Sequence, residues 1–170
     1  KKGMFDNAKS GVQHTIPFTT NFKVLKHFSV SVGGNYQETW TGKTIKFNNF
    51  SENVGAVKDT ISGFDRFAVY NYNASITTKV YGIVNFKPKN KVQSIRHTIT
   101  PSITYSNNPS FEEYYDTYII DAEGNTAEYT RFQNGLYGTP GKSYSSSIGL
   151  SIANTIEAKV KPRDSTETEL

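Results

Sequence analysis

Alternation between apolar and small polar side chains is clearest in residues 28–40, FSVSVGGNYQETW. The even positions include Phe28, Val30, Val32, Tyr36 and Trp40, whereas the odd positions up to 37 carry serine, glycine, asparagine and glutamine. Because successive side chains of a β-strand point to opposite faces, a period of two is typical of a strand between two unlike environments. We therefore predict a long strand here, with one apolar face and one small polar face.

The same alternation recurs in four other segments of the chain. Together the five segments predict strands near residues 14–22, 28–42, 66–84, 92–106 and 143–160. The composition agrees, because isoleucine and valine total 24 residues against four leucines, and β-branched side chains favour strands over helices. We expect an all-β fold of antiparallel strands, with no second domain in residues 1–170.

The connections between the predicted strands alternate in length. Residues 23–27 and 86–91 form short turns, whereas residues 43–65 and 107–142 form long, polar connections. Antiparallel strands would place the short turns at one end and the long loops at the other, as outer-membrane β-barrels do with their periplasmic turns and extracellular loops. This asymmetry favours part of a large transmembrane outer-membrane β-barrel, in which 43–65 and 107–142 are long extracellular loops.

Strand length and aromatic placement separate the barrel from a different class of protein, a secreted carbohydrate-binding β-sandwich. Strands of globular sheets usually have about 5–6 residues, whereas a tilted membrane strand needs about 9–11. Tyrosine and tryptophan lie towards the long-loop ends, where the aromatic girdle of a barrel is expected. The side chains predicted to face lipid are Phe28, Val30, Val32, Tyr36, Trp40, Tyr70, Tyr72, Ile76, Ile99, Ile103, Tyr105, Ile148, Leu150 and Ile152.

Five strands are too few to close a membrane barrel, because bacterial single-chain barrels start at about eight. Open strand edges in lipid would leave backbone N–H and C=O groups unpaired. We therefore expect the chain to be a segment of a larger barrel. Residues 163–170 are predicted to be a polar periplasmic turn that leads towards a further strand.

Several classes of function find no support in the composition. Without cysteine the chain can have no disulfide or thiol nucleophile, and its three histidines, His14, His27 and His97, are far apart in the sequence. No Gly-x-Ser-x-Gly motif marks a hydrolase serine, so we expect no enzyme activity, cofactor or metal site. The net charge of +4 is mild and the lysines are scattered, which argues against a nucleic-acid partner.

Residues 78–82, TKVYG, and 95–106, IRHTITPSITYS, contain the most distinctive motif. The second segment has the pattern His-x-x-x-Pro-x-x-x-Tyr at His97, Pro101 and Tyr105, and RFQNGLYG follows at 131–138. In order and spacing these segments resemble the C-terminal barrel of the lipopolysaccharide-assembly outer-membrane protein family LptD. The resemblance covers most of the chain but does not include the family's N-terminal β-jellyroll domain.

This resemblance implies that the chain takes part in inserting lipopolysaccharide into the outer leaflet of the cell outer membrane of a Gram-negative bacterium. The partners it implies are lipopolysaccharide, an LptE-like outer-membrane lipoprotein plug, periplasmic bridge components and membrane lipid. The alternative within the same structural class is another large outer-membrane barrel, a TonB-dependent nutrient transporter. Such a transporter would have an N-terminal plug domain where LptD has a jellyroll.

Basic residues on the polar phase are candidate contacts for lipopolysaccharide or for the plug. Hydroxyl and amide side chains offer weak, exchangeable hydrogen bonds, and inward-facing cations could attract head-group phosphates. The candidates are Lys79, Arg96 and Lys159. The alternative is that these charges pair with the plug or with a neighbouring carboxylate such as Glu157.

Three further features have structural interpretations. Pro101 cannot donate to a strand ladder, so it predicts a bulge or weakened pairing. His97 shares its phase and is expected to pack at the membrane interface. In the second long loop, the acidic residues within 111–116 are expected to be solvated, and the segments on either side of Gly124 and Asn125 predict a small β-hairpin.

Overall fold

The computed structural model describes residues 8–87 and 89–161, and within them the fold is all-β and antiparallel. A 3-10 turn at Glu112–Tyr114 lies between two of the strands. No helix in the described residues is long and apolar enough to cross a membrane. The strands are β1 (Gly11–Val24), β2 (Phe28–Phe47), β3 (Lys58–Thr78), β4 (Val80–Asn85), β5 (Val92–Asn108), β6 (Tyr115–Ile119), β7 (Thr126–Thr130) and β8 (Ser145–Val160).

Six of these strands form one sheet, in the order β1-β2-β3-β5-β4, with β8 also paired to β5. Strands β6 and β7 form a separate two-stranded sheet, in which Tyr118 lies opposite Ala127. This pair confirms the predicted hairpin around Gly124 and Asn125. Among the described strands, the order does not return from β8 to β1, so the sheet is open as described.

Several strand bounds differ from those predicted. The predicted strand 66–84 is divided, because β3 ends at Thr78 and β4 begins at Val80. Strands β2 and β3 also extend into the predicted loop 43–65, which leaves a connection of only residues 48–57. Part of the reason is tertiary: Ile45 in the β2 extension is 3% exposed, and its N–H donates to the carbonyl of Arg131 at 3.0 Å. The predicted turn at 163–170 lies outside the described residues.

The division between β3 and β4 lies beside Pro101. In the β4–β5 register Val80 lies opposite Ile99, so continuing it places Lys79 opposite Thr100 and Thr78 opposite Pro101. Proline has no N–H to donate to the ladder. The Thr77 hydroxyl donates instead to the Pro101 carbonyl at 3.1 Å. The strand is thus interrupted next to the residue that was predicted to weaken its pairing.

The described chain divides into two compact units. One, which we call the loop-packed unit, contains residues 8–19, 33–73 and 106–147. Its buried apolar side chains are Ile45, Phe67, Phe111, Tyr129 and Phe132. This unit buries a core of its own because the connection between β5 and β8 supplies most of those side chains.

The other, which we call the strand unit, contains residues 20–32, 74–87, 89–105 and 148–161. Every described residue in this unit is exposed or half-buried, and none is fully buried. Its turns are short: Leu25 and Lys26 adopt positive φ angles of 50° and 63° between β1 and β2. The strand unit therefore consists of ladder-paired strands without an apolar core.

Candidate functional site

The apolar phase of the strands carries the side chains predicted to face lipid. In β8, Ile148, Leu150 and Ile152 are 78%, 72% and 59% exposed. Of the fourteen predicted side chains, none is buried: Val30, Val32, Tyr36, Ile99 and Tyr105 are half-buried, and the other nine are exposed. The Tyr70 ring packs on Phe111 of the connection between β5 and β8, with ring centroids 5.5 Å apart, whereas the three β8 side chains are the most exposed of the set. That these side chains contact lipid remains a prediction.

The opposite, polar phase of β5 and β8 forms a row of cross-strand contacts, which we call the β5–β8 polar face. The hydroxyl oxygens of Ser102 and Ser151 lie 2.7 Å apart. Gly149 leaves space for Thr104, because a Cβ at 149 would lie 2.7 Å from the Thr104 hydroxyl. Short hydroxyl side chains and a glycine thus line this face, as the polar phase predicts.

An ion pair belongs to the same row. The Arg96 Nε donates to the Glu157 carboxylate at 2.6 Å, and both side chains are 52% exposed. Lys159 lies two residues beyond Glu157 on the same phase and is exposed, whereas Lys79 lies exposed at the division between β3 and β4. Of the three predicted basic candidates, the structure therefore pairs Arg96 with Glu157 and places Lys159 on the same phase of β8.

Strand β4 adds apolar side chains that the sequence analysis missed. Tyr81 lies opposite Thr98 and Ile83 lies opposite Arg96, so both share the polar phase of β5. They are 56% and 62% exposed. Because Val80 and Val84 occupy the other phase, β4 is apolar on both faces. The signal in the sequence was β4 itself, a six-residue run that is apolar on both phases. The sequence analysis instead included this run in the longer predicted strand 66–84.

The residues of the family-like motif, His97, Pro101 and Tyr105, all lie on the apolar phase of β5. The His97 Nε2 lies 3.1 Å from the amide oxygen of Asn154, a polar residue on the apolar phase of β8 between Ile152 and Ile156. Gly82 lies opposite His97 on the β4 side, and a Cβ there would meet no atom within 4 Å. His97 is therefore a half-buried histidine with an amide partner.

In the loop-packed unit the polar phase has different surroundings. Thr39 and Thr41 of β2 are buried, and Phe67 of β3 packs on Phe132 with ring centroids 4.8 Å apart. The Arg131 guanidinium lies 4.7 Å from the Phe132 ring centroid, and its Nε donates to the Asp65 carboxylate at 2.6 Å. The expectation that the hydroxyl-rich phase lines water is wrong in this unit, because the protein's own loop covers it.

On the apolar phase of the same unit, an aromatic and charged cluster surrounds Glu38. The Trp40 Nε1 donates to Glu38 at 2.9 Å, the Tyr36 hydroxyl donates at 3.2 Å, and Arg66 forms an ion pair with the same carboxylate. The Trp40 ring also lies 4.5 Å from the ring of His14, centroid to centroid. Amphipathic aromatic side chains of this kind favour a membrane interface.

In the part of the chain that the structure describes, no group of three or more His, Asp or Glu side chains could hold a metal ion. What the β5–β8 polar face can do chemically is offer hydroxyl groups and paired charges to a polar or anionic partner, while the opposite phase offers apolar surface.

Comparison with known proteins places these features in one family. The family model described as LptD protein matches residues 1–170, which is the whole chain. Neither the curated proteins nor the solved structures include a match. LptD proteins serve lipopolysaccharide transport and assembly at the outer membrane, and the predicted resemblance of the chain to this family is confirmed. Because the match extends over all 170 residues, the chain belongs to the LptD protein family.

Proposed function

We propose that this chain forms part of an outer-membrane β-barrel translocon that inserts lipopolysaccharide into the outer leaflet. The observation that carries the proposal is the contrast between the two faces of one strand pair in a member of the LptD family. One face of β8 presents exposed aliphatic side chains, and the other joins β5 through hydroxyl contacts and an ion pair. A barrel strand between lipid and a wet lumen requires this contrast.

The apolar face supports a membrane location by its energetics. Fully burying one valine, leucine or isoleucine side chain is worth about 1.5–3 kcal/mol relative to leaving it in water. Ile148, Leu150, Ile152 and Ile156 all remain more than half exposed in the described chain. Contact with acyl chains would supply the burial that the protein itself does not.

The polar face supports a path for a polar head group. Lipopolysaccharide must move its saccharides past the strands without a deep trap, and hydroxyl groups make weak, exchangeable hydrogen bonds of about 0.5–1.5 kcal/mol each. In this proposal Lys79, Arg96 and Lys159 contact head-group phosphates or the plug. Since Glu157 already pairs with Arg96, a phosphate at Arg96 must compete with that carboxylate, whereas Lys79 and Lys159 are exposed.

The proposed partners follow from the same surfaces. Tyr81 and Ile83 give the polar phase an exposed apolar spot beside Arg96, and this spot suits a lipoprotein plug of the LptE kind better than it suits a saccharide. Periplasmic bridge components and membrane lipid complete the set. No observation favours a TonB-dependent transporter, and a β-sandwich would need a second sheet over the apolar phase, which the described residues do not provide.

A pair of arginine substitutions on adjacent residues tests the proposal. Ile152→Arg puts a charge on the apolar phase and should oppose insertion into phospholipid vesicles by about 2–4 kcal/mol if the site lies near the bilayer midplane. Ser151→Arg puts the same charge on the polar phase and should cost about 1 kcal/mol, because it removes the hydrogen bond to Ser102. The free energy of insertion, measured by urea titration of vesicle-bound protein, compares the two.

Equal tolerance of the two substitutions would contradict the membrane assignment. The matched pair Val32→Arg and Ser31→Arg repeats the comparison on β2, where neither position is fully buried. Lipopolysaccharide delivery by cells that carry Lys79→Ala or Lys159→Ala then tests the head-group contacts. Unchanged delivery in the double variant would remove these lysines from the proposed path.

A further inference from the structure

A cavity of about 240 Å³, which we call the amide pocket, lies within the loop-packed unit. It is bounded by the polar phase of β2 and β3 and by the connection between β5 and β8. Pockets for drug-sized ligands have volumes of about 300–1,000 Å³, so the amide pocket suits a smaller ligand. The side chains that matter for its chemistry are Asn35, Gln37, Asn71, Asn108, Phe111 and Ser143.

The lining of the amide pocket is uncharged, and its polar groups are mainly carboxamides. Among the described residues that line it, none is aspartate, glutamate, lysine, arginine or histidine. A carboxamide offers one oxygen acceptor and two N–H donors, whereas a phosphate is held best by cationic donors. The lining therefore favours an uncharged ligand that both donates and accepts hydrogen bonds.

The amides on the strand side keep their hydrogen-bonding capacity for a ligand. Within the described chain the Asn108 amide donates to the Ser145 hydroxyl at 3.1 Å, whereas the side chains of Asn35, Gln37 and Asn71 make no hydrogen bond to the protein. Asn35 and Gln37 are half-buried, and they lie two residues apart on one face of β2, about 7 Å along the strand. This spacing lets the two amides contact one small ring.

The wall on the side of the connection is aromatic and held in place. Phe111 is 7% exposed, and its ring packs edge to face with the Tyr70 ring at a centroid distance of 5.5 Å. The Phe111 N–H donates to the Gly141 carbonyl at 3.0 Å, and the Ser110 hydroxyl donates to the Lys142 carbonyl. Because these contacts form without a ligand, binding does not have to order this wall. It adds apolar surface to a lining that is otherwise polar.

We propose that the amide pocket binds one uncharged monosaccharide unit. The amides of Asn35, Gln37 and Asn71 exchange hydrogen bonds with the ring hydroxyl groups, which both donate and accept. The rings of Tyr70 and Phe111 contact the apolar C–H face of the sugar. The inference rests on the proposed function only for the source of the sugar, a saccharide of lipopolysaccharide. The chemistry of the pocket does not depend on whether the strands face lipid.

NMR titration of the side-chain amide groups in the ¹⁵N-labelled full chain tests this proposal. The protein is held in lauryldimethylamine oxide micelles, because the head group of this detergent contains no sugar. At least one of D-glucose, D-galactose and D-mannose should shift the amide signals of Asn35, Gln37 and Asn71 saturably. Sorbitol, which has the hydroxyl groups without the ring, should not bind measurably. The 6-phosphate of the sugar that binds should bind no more tightly, since no cation lines the pocket.

Substitutions locate the binding in the amide pocket. Asn35→Ala and Gln37→Ala should each weaken sugar binding by about fivefold, the effect of losing one neutral hydrogen bond. The Asn71 signal reports the affinity in both variants. The control Gln133→Ala removes an exposed amide of the same unit that does not line the pocket, and it should leave the affinity unchanged.

Each alternative result has a defined meaning. Saturable binding of none of the three sugars would overturn the proposal, and so would unchanged affinity in the Asn35→Ala, Gln37→Ala double variant with its strand content intact by circular dichroism. Sorbitol binding as tightly as the sugar, or the 6-phosphate binding more tightly, would overturn the assignment to an uncharged sugar ring. If Ile152→Arg is tolerated as well as Ser151→Arg while the sugar still binds, the translocation proposal fails and the pocket assignment stands.

Discussion

Phe132 in the loop-packed unit is 1% exposed, whereas Ile148 in the strand unit is 78% exposed. Both units are built largely from the same long strands, and both show the same alternation of apolar and polar residues. They differ in what covers the strands. In the loop-packed unit the protein's own connection between β5 and β8 supplies the cover, and in the strand unit the described chain supplies none. Alternation therefore specifies two faces without specifying their surroundings.

The difference also separates two sources of stability. The rings of Phe67, Tyr114 and Phe132 contact one another with centroids 4.8–6.0 Å apart, so the loop-packed unit is stabilised by its own side chains. The strand unit depends on ladder pairing and on whatever surrounds its apolar phase. We expect substitutions to have large effects on folding in the first unit, and effects mainly on membrane insertion in the second.

Phe132→Ala should have the largest effect, and it tests the source of stability directly. Truncating a buried phenylalanine costs about 3–5 kcal/mol, because apolar burial is lost and a cavity remains. Hydrogen exchange in the β6–β7 pair, measured in detergent, should report this loss as faster local opening. The control Ile148→Ala should change opening by no more than about 0.5 kcal/mol, since the side chain is exposed. Similar losses in both variants would contradict the comparison.

Two glycines sharpen the comparison at the level of the backbone. A Cβ at Gly34, in the loop-packed unit, would clash with the Asn71 carbonyl oxygen, whereas one at Gly82, in the strand unit, would meet no atom within 4 Å. Gly34→Ala should therefore cost about 1–3 kcal/mol through overpacking. Gly82→Ala should be neutral or stabilising by about 0.5 kcal/mol, because glycine is unfavourable in a strand. Urea unfolding of the protein in detergent compares them, and an equal loss would show that the strand unit is as tightly packed as the other.

The sequence predicted features that are local to one strand and missed features that depend on contacts with distant segments of the chain. The period of two in residues 28–40 was sufficient to predict β2, because alternation is a local property of a strand. The extension of β2 to Phe47 was not predictable, since Ile45 is held there by contact with Arg131, about 85 residues away along the chain. Likewise, nothing near Thr39 indicated that a loop would bury it. The division of the predicted strand 66–84 had a signal in Pro101, but that signal lies on the neighbouring strand.

The candidate site shows the same limit. Arg96 and Glu157 could be predicted from the sequence because each lies on the polar phase of its own strand. The pairing of β5 with β8 then brings their side chains together. Tyr81 and Ile83 were missed because the alternation of the longer predicted strand 66–84 was extended through β4, where both phases carry apolar residues.

Two ion pairs give a smaller test of the same contrast. The Asp65 and Arg131 side chains are 31% and 35% exposed, whereas both partners of the Arg96–Glu157 pair are 52% exposed. Asp65→Asn should cost about 1–3 kcal/mol, because it removes a charge-assisted hydrogen bond from a half-buried arginine. Glu157→Gln should cost about 0–1 kcal/mol, because water screens the exposed pair. Double-mutant cycles in urea unfolding measure both couplings, and a larger value at Glu157 would reverse the comparison.

The smallest effect expected is a pH dependence confined to the β6–β7 hairpin. Hydrogen bonds from the Asn125 side chain and from backbone amides lower the pKa of Asp121 below its ordinary value of 3.8. An acid with a lowered pKa stabilises the folded state above its unfolded pKa, and this contribution is lost as the pH falls through the lowered value. Amide exchange at Gly124 and Asn125 should therefore accelerate below pH 3.8, after correction for intrinsic exchange.

The strand unit should show no matching change, and Asp121→Asn should remove the effect, because asparagine keeps an acceptor but does not titrate. Acceleration that persists in Asp121→Asn would assign the pH dependence to another group and leave the hairpin held by its strand pairing alone.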